Sequence, residues 1–204
     1  MKHFILAIAL AFLSLMNVQA NDDILSKIEE KGSTFNTLTA QFTQEKTIAA
    51  NGKKIMSDGM LYYAPGKFAM HYSPSCDELL IINGKDFLMI RGKRKNIFNT
   101  ETNKPMRSLK NTLLYCMTGD IGILAEENNA EISASDCDSY YQVTLTARKK
   151  AIKGYSSIIF SYDKNTGFLT EMTMNEFNGN STVYKMSGYH QNVMIEDEKF
   201  LIER

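Results

Sequence analysis

The chain has 204 residues, with 23 basic against 23 acidic side chains, three cysteines and no tryptophan. That length is one domain's worth and can bury a sizeable core. The even charge lacks the basic excess of nucleic-acid binders, and three cysteines are too few for a disulfide-stapled scaffold.

Residues 1–20 read as a secretory signal peptide. Lys2 and His3 form a short basic start, the stretch 4–16 is apolar apart from Ser14, and Val18-Gln19-Ala20 is a small-x-small cleavage signal. The apolar run is shorter than the ~20 residues a membrane-spanning helix needs, which places a cleaved leader above an uncleaved anchor. Asn21 follows the cut where a lipoprotein would have cysteine. Cleavage leaves one domain, residues 21–204.

Asp22-Asp23 can cap a helix that puts Ile24, Leu25 and Ile28 on one face, with Gly32 and Ser33 ending it. The period then changes to two. LTAQFTQEK (38–46) sets Leu38, Ala40 and Phe42 against Thr39, Gln41 and Thr43, as in a strand with one wet face. Turn signals follow in series at Asn51-Gly52, Pro65-Gly66, Asn83-Gly84 and Gly92-Lys93, each between short apolar runs. RGKRK (91–95) is the one local basic excess and reads as a solvated hairpin tip, with contact to an anionic headgroup or partner as the alternative. From Pro105 to about Glu127, Leu109, Leu113, Cys116 and Met117 recur at helical spacing, and Gly119 interrupts the pattern. Two short amphipathic helices against the sheet are predicted there, as plain core cover or as a lid. Strands return at EISAS, YYQVTLTA, YSSIIFSY, FLTEMTMNEF and STVYKMSGYH, and a last one is expected at KFLIE (199–203). The prediction is a mainly β (α+β) single domain of sandwich or barrel type.

Two helical patches are few for so long a sheet, so a concave apolar face is expected. Phe68, Met70 and Tyr72 project to one side of their strand, Leu61 and Tyr63 share a side of the strand before, Ile81, Phe87 and Met89 come from the next hairpin, and Met172 and Met174 share a face further on. Ten methionines remain after the leader; methionine conforms to varied apolar ligands, or merely fills an irregular core. Cys76, Cys116 and Cys137 leave the pairing open: one pair can close with one thiol free, or all three are small buried apolar residues. There is no CxxC, and His71 and His190 alone give no zinc spacing. No GxSxG, HExxH or Gly-rich phosphate loop is present, so no enzyme, metal or cofactor is expected. Asp136/Asp138 and Glu196/Asp197/Glu198 sit in polar loops rather than in the buried setting an acid–base pair needs.

LTAQFTQ (38–44), DGMLYYAPGKFAMHY (58–72), ELLIINGK (78–85), FSYDKNTGFLTEMTMNEFNGNSTVYKM (160–186) and the terminal KFLIE, in this order behind a secretory leader, resemble the outer-membrane lipoprotein carrier family (LolA-type). The resemblance implies an incomplete antiparallel β-barrel of about eleven strands whose helices form a lid. It implies a periplasmic shuttle, without cofactor or chemistry, that takes acylated lipoproteins from an inner-membrane ABC transporter to the outer membrane, where this sequence does not name the acceptor. A monomer is expected. The cavity wall would be Leu61, Tyr63, Phe68, Met70, Tyr72, Ile81, Phe87, Met89, Met172 and Met174, with Leu109, Leu113 and Met117 in the lid. Two positions depart from the family: Ala64 stands where many members carry an arginine, and Met70 where they carry tryptophan. Phe68→Glu is expected to abolish cargo uptake or partner docking with the fold intact. The alternatives are a half-barrel that senses lipid or lipoprotein as a signal, and a carrier of another envelope lipid.

Overall fold

The computed structural model describes residues 21–149 and 154–203. The expected signal peptide lies outside the described residues. A helix over residues 21–32 (α1) opens the described chain. Six strands follow as a meander: β1 (Leu38–Ile48), β2 (Lys53–Ala64), β3 (Lys67–Tyr72), β4 (Glu78–Asn83), β5 (Asp86–Arg91) and β6 (Arg94–Asn99). Helices α2 (Lys104–Thr118) and α3 (Ile121–Glu127) cross to a second meander of β7 (Ala130–Asp136), β8 (Tyr140–Ala147), β9 (Tyr155–Asp163), β10 (Leu169–Glu176) and β11 (Ser181–Gln191).

Pairing of β1 with β11 joins the two meanders into one antiparallel sheet, ordered β6-β5-β4-β3-β2-β1-β11-β10-β9-β8-β7. The outermost strands β6 and β7 do not pair, so the barrel is incomplete, as expected. Turn chemistry sets the register. Pro65 and Gly66 are the two residues between β2 and β3, and Gly66 takes φ 72°, as a turn with Pro first and Gly second requires. Between β4 and β5 the loop is Gly84-Lys85, one residue later than the sequence indicates, because Gly84 supplies the positive φ of 56° at its first position.

Alternation then decides what each face buries. Along β1, Leu38, Ala40, Phe42 and Gln44 are buried and point to the concave side. The main core lies on that side, roofed by α1, α2 and α3. Helix α2 starts where the Asn103 side chain accepts the Met106 N–H at 3.2 Å, and it ends at Gly119 in the left-handed region (φ 83°). Leu113, Cys116 and Met117 form its buried stripe. The ends of α1 and α2 meet closely: a Cβ on Gly32 would lie 1.9 Å from the Thr118 carbonyl oxygen, and one on Gly119 would lie 2.7 Å from Ile28 Cγ2.

A second, smaller core covers the convex face. Ala69, Ile81 and Leu88 meet Phe200 there, flanked by Tyr62, Leu79, Ile90 and Ile97. The expected final strand at KFLIE is not formed. Asp197–Phe200 is instead a short 3-10 turn crossing the outside of the sheet, and residues 201–203 are irregular. Side chains of β3 and β4 take its backbone groups: His71 Nε2 lies 2.8 Å from the Lys199 carbonyl, and Asn83 donates to the Phe200 carbonyl at 3.1 Å. Lys67 pairs with Asp197 at 2.8 Å. With its carbonyls satisfied by side chains, this segment packs as a strap.

Candidate functional site

Two parts of the concave face differ in how they are filled. In the first, Leu61, Phe68, Met70, Met172 and Met186 close directly on Leu113, Cys116 and Met117 of α2, and only about 10 Å³ stays empty. In the second, a cavity of about 520 Å³ opens between the first half of α2, the end of α3 and strands β7 to β10. That volume lies in the ~300–1,000 Å³ range of small-molecule sites. Its apolar lining comes from Met106 and Leu109 on α2, Leu145 on β8, Ile158 on β9, and Phe177. The space exists because the neighbouring positions are small: Ala130, Ala147, Gly154, Ser156 and Ser157.

Most of the expected wall residues therefore lie together but in a packed region. Leu61, Tyr63, Phe68, Met70, Phe87, Met172 and Met174 are all buried in the concave core, with Tyr72 and Met89 half-buried against it. Ile81 does not join them. A two-residue loop pairs odd with even numbers across its hairpin, so Ile81 faces Leu88 while Ile82 faces Phe87. Ile81 is thus on the convex face, and Leu80 and Ile82 stand in the concave core. Of the expected lid residues, Leu113 and Met117 are packed into the core and Leu109 alone lines the open cavity. The expectation for Phe68→Glu also changes. Phe68 is 1% exposed, so a carboxylate there would be buried without a partner and would break the fold rather than spare it.

Helix α2 is tied down on three sides. Lys110 Nζ donates to the Gly84 carbonyl in the β4–β5 turn at 2.7 Å. Ser108 and Asn111 reach α3, donating to Asn128 Oδ1 and, at 2.6 Å, to Glu127 Oε2. The Tyr162 hydroxyl, buried on β9, donates to the Cys116 carbonyl at 2.9 Å. That carbonyl belongs to the last turn of the helix, where backbone acceptors lack partners; the Asp120 N–H goes to Tyr115 instead. Burial holds the Tyr162 phenol well above its ordinary pKa, so it remains a donor.

All three cysteines are free thiols in this structure. Cys116 is buried, and desolvation pushes its pKa up to about 12. It serves as a small apolar core residue. Among the described residues, no group of three His, Cys, Asp or Glu is placed to hold a metal ion. No described helix is long and apolar enough to cross a membrane.

The cavity lining from β7–β9 was not singled out from the sequence. The available signal was the run of small inward residues beside Leu145 and Ile158, which face each other across β8 and β9.

Solved structures match this chain at low identity. The LolA superfamily protein of Nitrosomonas europaea is 9% identical, with 89% of this chain and 97% of that one covered and a TM-score of 0.43. The Mycobacterium tuberculosis lipoprotein LppX is 10% identical, with 86% and 99% covered and a TM-score of 0.43. No curated protein matches the sequence. The family model described as outer membrane lipoprotein carrier protein LolA matches residues 33–203. That span runs from the end of α1 to the C-terminal strap, so it takes in all eleven strands, α2 and α3. The chain belongs to the LolA family of outer membrane lipoprotein carriers, a family of binding proteins rather than enzymes.

Proposed function

We propose that this protein is a periplasmic carrier that holds acyl chains of lipoproteins in the 520 Å³ cavity and moves them from the inner to the outer membrane. The observation that carries the reading is an open, mostly apolar cavity on the concave face of a chain from the lipoprotein-carrier family. In this reading residues 1–20 direct secretion and are removed, and the domain works as a monomer. An inner-membrane ABC transporter loads the carrier, and an outer-membrane acceptor unloads it.

An acyl chain exposed to water costs ~0.8 kcal/mol per CH₂. Leu109, Leu145 and Ile158 supply apolar surface that offsets this cost in transit. The wall that the sequence indicates, from Leu61 to Met174, comes into play when α2 is displaced: moving its Leu113–Met117 half would extend the cavity along Phe68, Met70 and Met172. A carrier needs moderate affinity, and a plug that competes with cargo for the same apolar surface provides it.

Native mass spectrometry of the protein purified from its own periplasm, with lipid extraction, tests the reading. A co-purified lipoprotein, or its acyl chains released by mild denaturation, is the expected result. Another extracted lipid would make the protein a carrier of that lipid. A clean apo mass, with no uptake of added lipopeptide, would sink the carrier reading.

A further inference from the structure

Beyond the apolar cavity, the concave face carries a polar belt at the end where β3 and β5 finish and β4 and β9 begin. Arg91 ends β5 in register with Glu78, the first residue of β4, and their side chains approach at 3.8 Å. Arg91 follows the inward parity of Phe87 and Met89, as does its exposed cross-strand partner Arg94, but of the two only Arg91 shares a small crevice with Tyr72 and Glu78. The Tyr72 hydroxyl donates to buried Gln44 on β1 at 2.6 Å, and Gln44 is in register with Tyr184 on β11. Tyr155 and Tyr184 both lie close enough to Arg91 for its charge to act on their phenols, and Tyr155 also lines the large cavity, which links belt and cavity. Within the described residues, neither the Arg91 guanidinium nor the Tyr155 hydroxyl makes a hydrogen bond. The belt therefore holds unspent donors beside an apolar space.

Within the crevice and the cavity lining the charges balance, with exposed Arg94 outside both. Arg91 faces Glu78, and the cavity lining holds both Lys149 and Glu176. A net anion gains little from such a site, whereas uncharged carbonyl oxygens accept from arginine and phenol alike. Burial keeps the Tyr155 phenol protonated, with Glu176 adding to the effect.

We infer that Arg91, with Tyr155 and Tyr184, forms a polar subsite that takes the ester carbonyls of an acylglyceryl lipid while its chains occupy the neighbouring cavity. This rests on the carrier reading and adds to it the chemical class that is recognised: an uncharged, acceptor-rich linkage. Arg91 is more than half exposed along its side chain, so replacing it leaves the core intact.

The test is a binding titration of the secreted protein with a synthetic diacylglyceryl lipopeptide and with its dialkyl-ether counterpart, which keeps the chains and lacks the carbonyls. The ester form is expected to bind about tenfold more tightly. Arg91→Gln should remove that preference without changing ether affinity or the melting curve, and Arg91→Lys should retain part of it. Equal affinity of the wild type for ester and ether overturns the subsite alone. So does an Arg91→Gln loss that is the same for both lipids. Tighter binding of phosphatidylglycerol vesicles that depends on Arg91 also overturns it, in favour of an anion site. Binding of neither lipopeptide overturns the carrier reading and the subsite together.

Discussion

The two parts of the concave face are built from the same sheet and roofed by the same helix, yet one is full and the other is open. Along β2, β3 and β10 the inward positions carry Leu61, Phe68, Met70 and Met172, and the second half of α2 fits onto them with almost no space left. Along β7, β8 and β9 the inward rows shrink to Ala130, Ala147 and Ser156, and the first half of α2 spans a cavity instead. Side-chain volume, not backbone architecture, separates the part that stabilises the fold from the part that can take a ligand. Close packing makes every missing methylene felt in the first region; in the second, room is the feature.

The largest test of this contrast is Phe68→Ala on the filled side. It should cost about 3–5 kcal/mol in denaturant unfolding; a loss under about 1 kcal/mol would mean that this face is not the core. Next comes Tyr162→Phe, which leaves the Cys116 carbonyl buried without a donor. It should cost about 1–3 kcal/mol, and an unchanged midpoint would show that α2 does not depend on this tie. On the open side, Ala147→Trp should fill space that nothing occupies. Lipopeptide affinity is expected to fall by at least about tenfold with no loss of stability. Normal binding in this variant would move the ligand elsewhere.

The smallest expected effect is at Asp163, in the β9–β10 turn, where both regions are absent. Its carboxylate accepts the Thr166 and Asn165 N–H groups, which holds its pKa below the ordinary carboxylate value. A lowered folded pKa stabilises above the unfolded value and loses that contribution as pH falls through the folded one. Asp163→Asn should therefore lower the melting temperature slightly at pH 7, with the difference shrinking as pH falls below the ordinary carboxylate value. A difference that persists in acid would assign the effect to geometry rather than charge. Opposite in sign, the raised pKa of Cys116 stabilises fully below about pH 9 and is lost as pH rises toward 12.

Much of this fold is legible in the sequence because period and turn chemistry are local. YYQVTLTA runs from Tyr140 to Ala147 as read, and the break at Gly119 falls between α2 and α3. The convex position of Ile81 is legible too, since a two-residue loop fixes parity whichever residues form it. KFLIE reads as a strand because its apolar alternation serves a strap packed across a sheet, and that depends on partners distant in sequence, Ala69, Ile81 and Leu88. The cavity was hardest to see. Bulky apolar residues announce a face, while a space is announced only by small residues on several strands whose register must first be known.

The strap sets which way this half-barrel can give. The convex cluster draws on β2 to β6 and the C-terminal segment alone, so those strands are clamped from outside as well as packed from within. Strands β7 to β9 contribute nothing to that cluster, and β7 ends the sheet unpaired to β6. The molecule is braced like a vice with one fixed jaw: the β2–β5 side is held from outside by the strap, while the β7–β9 side carries no such brace.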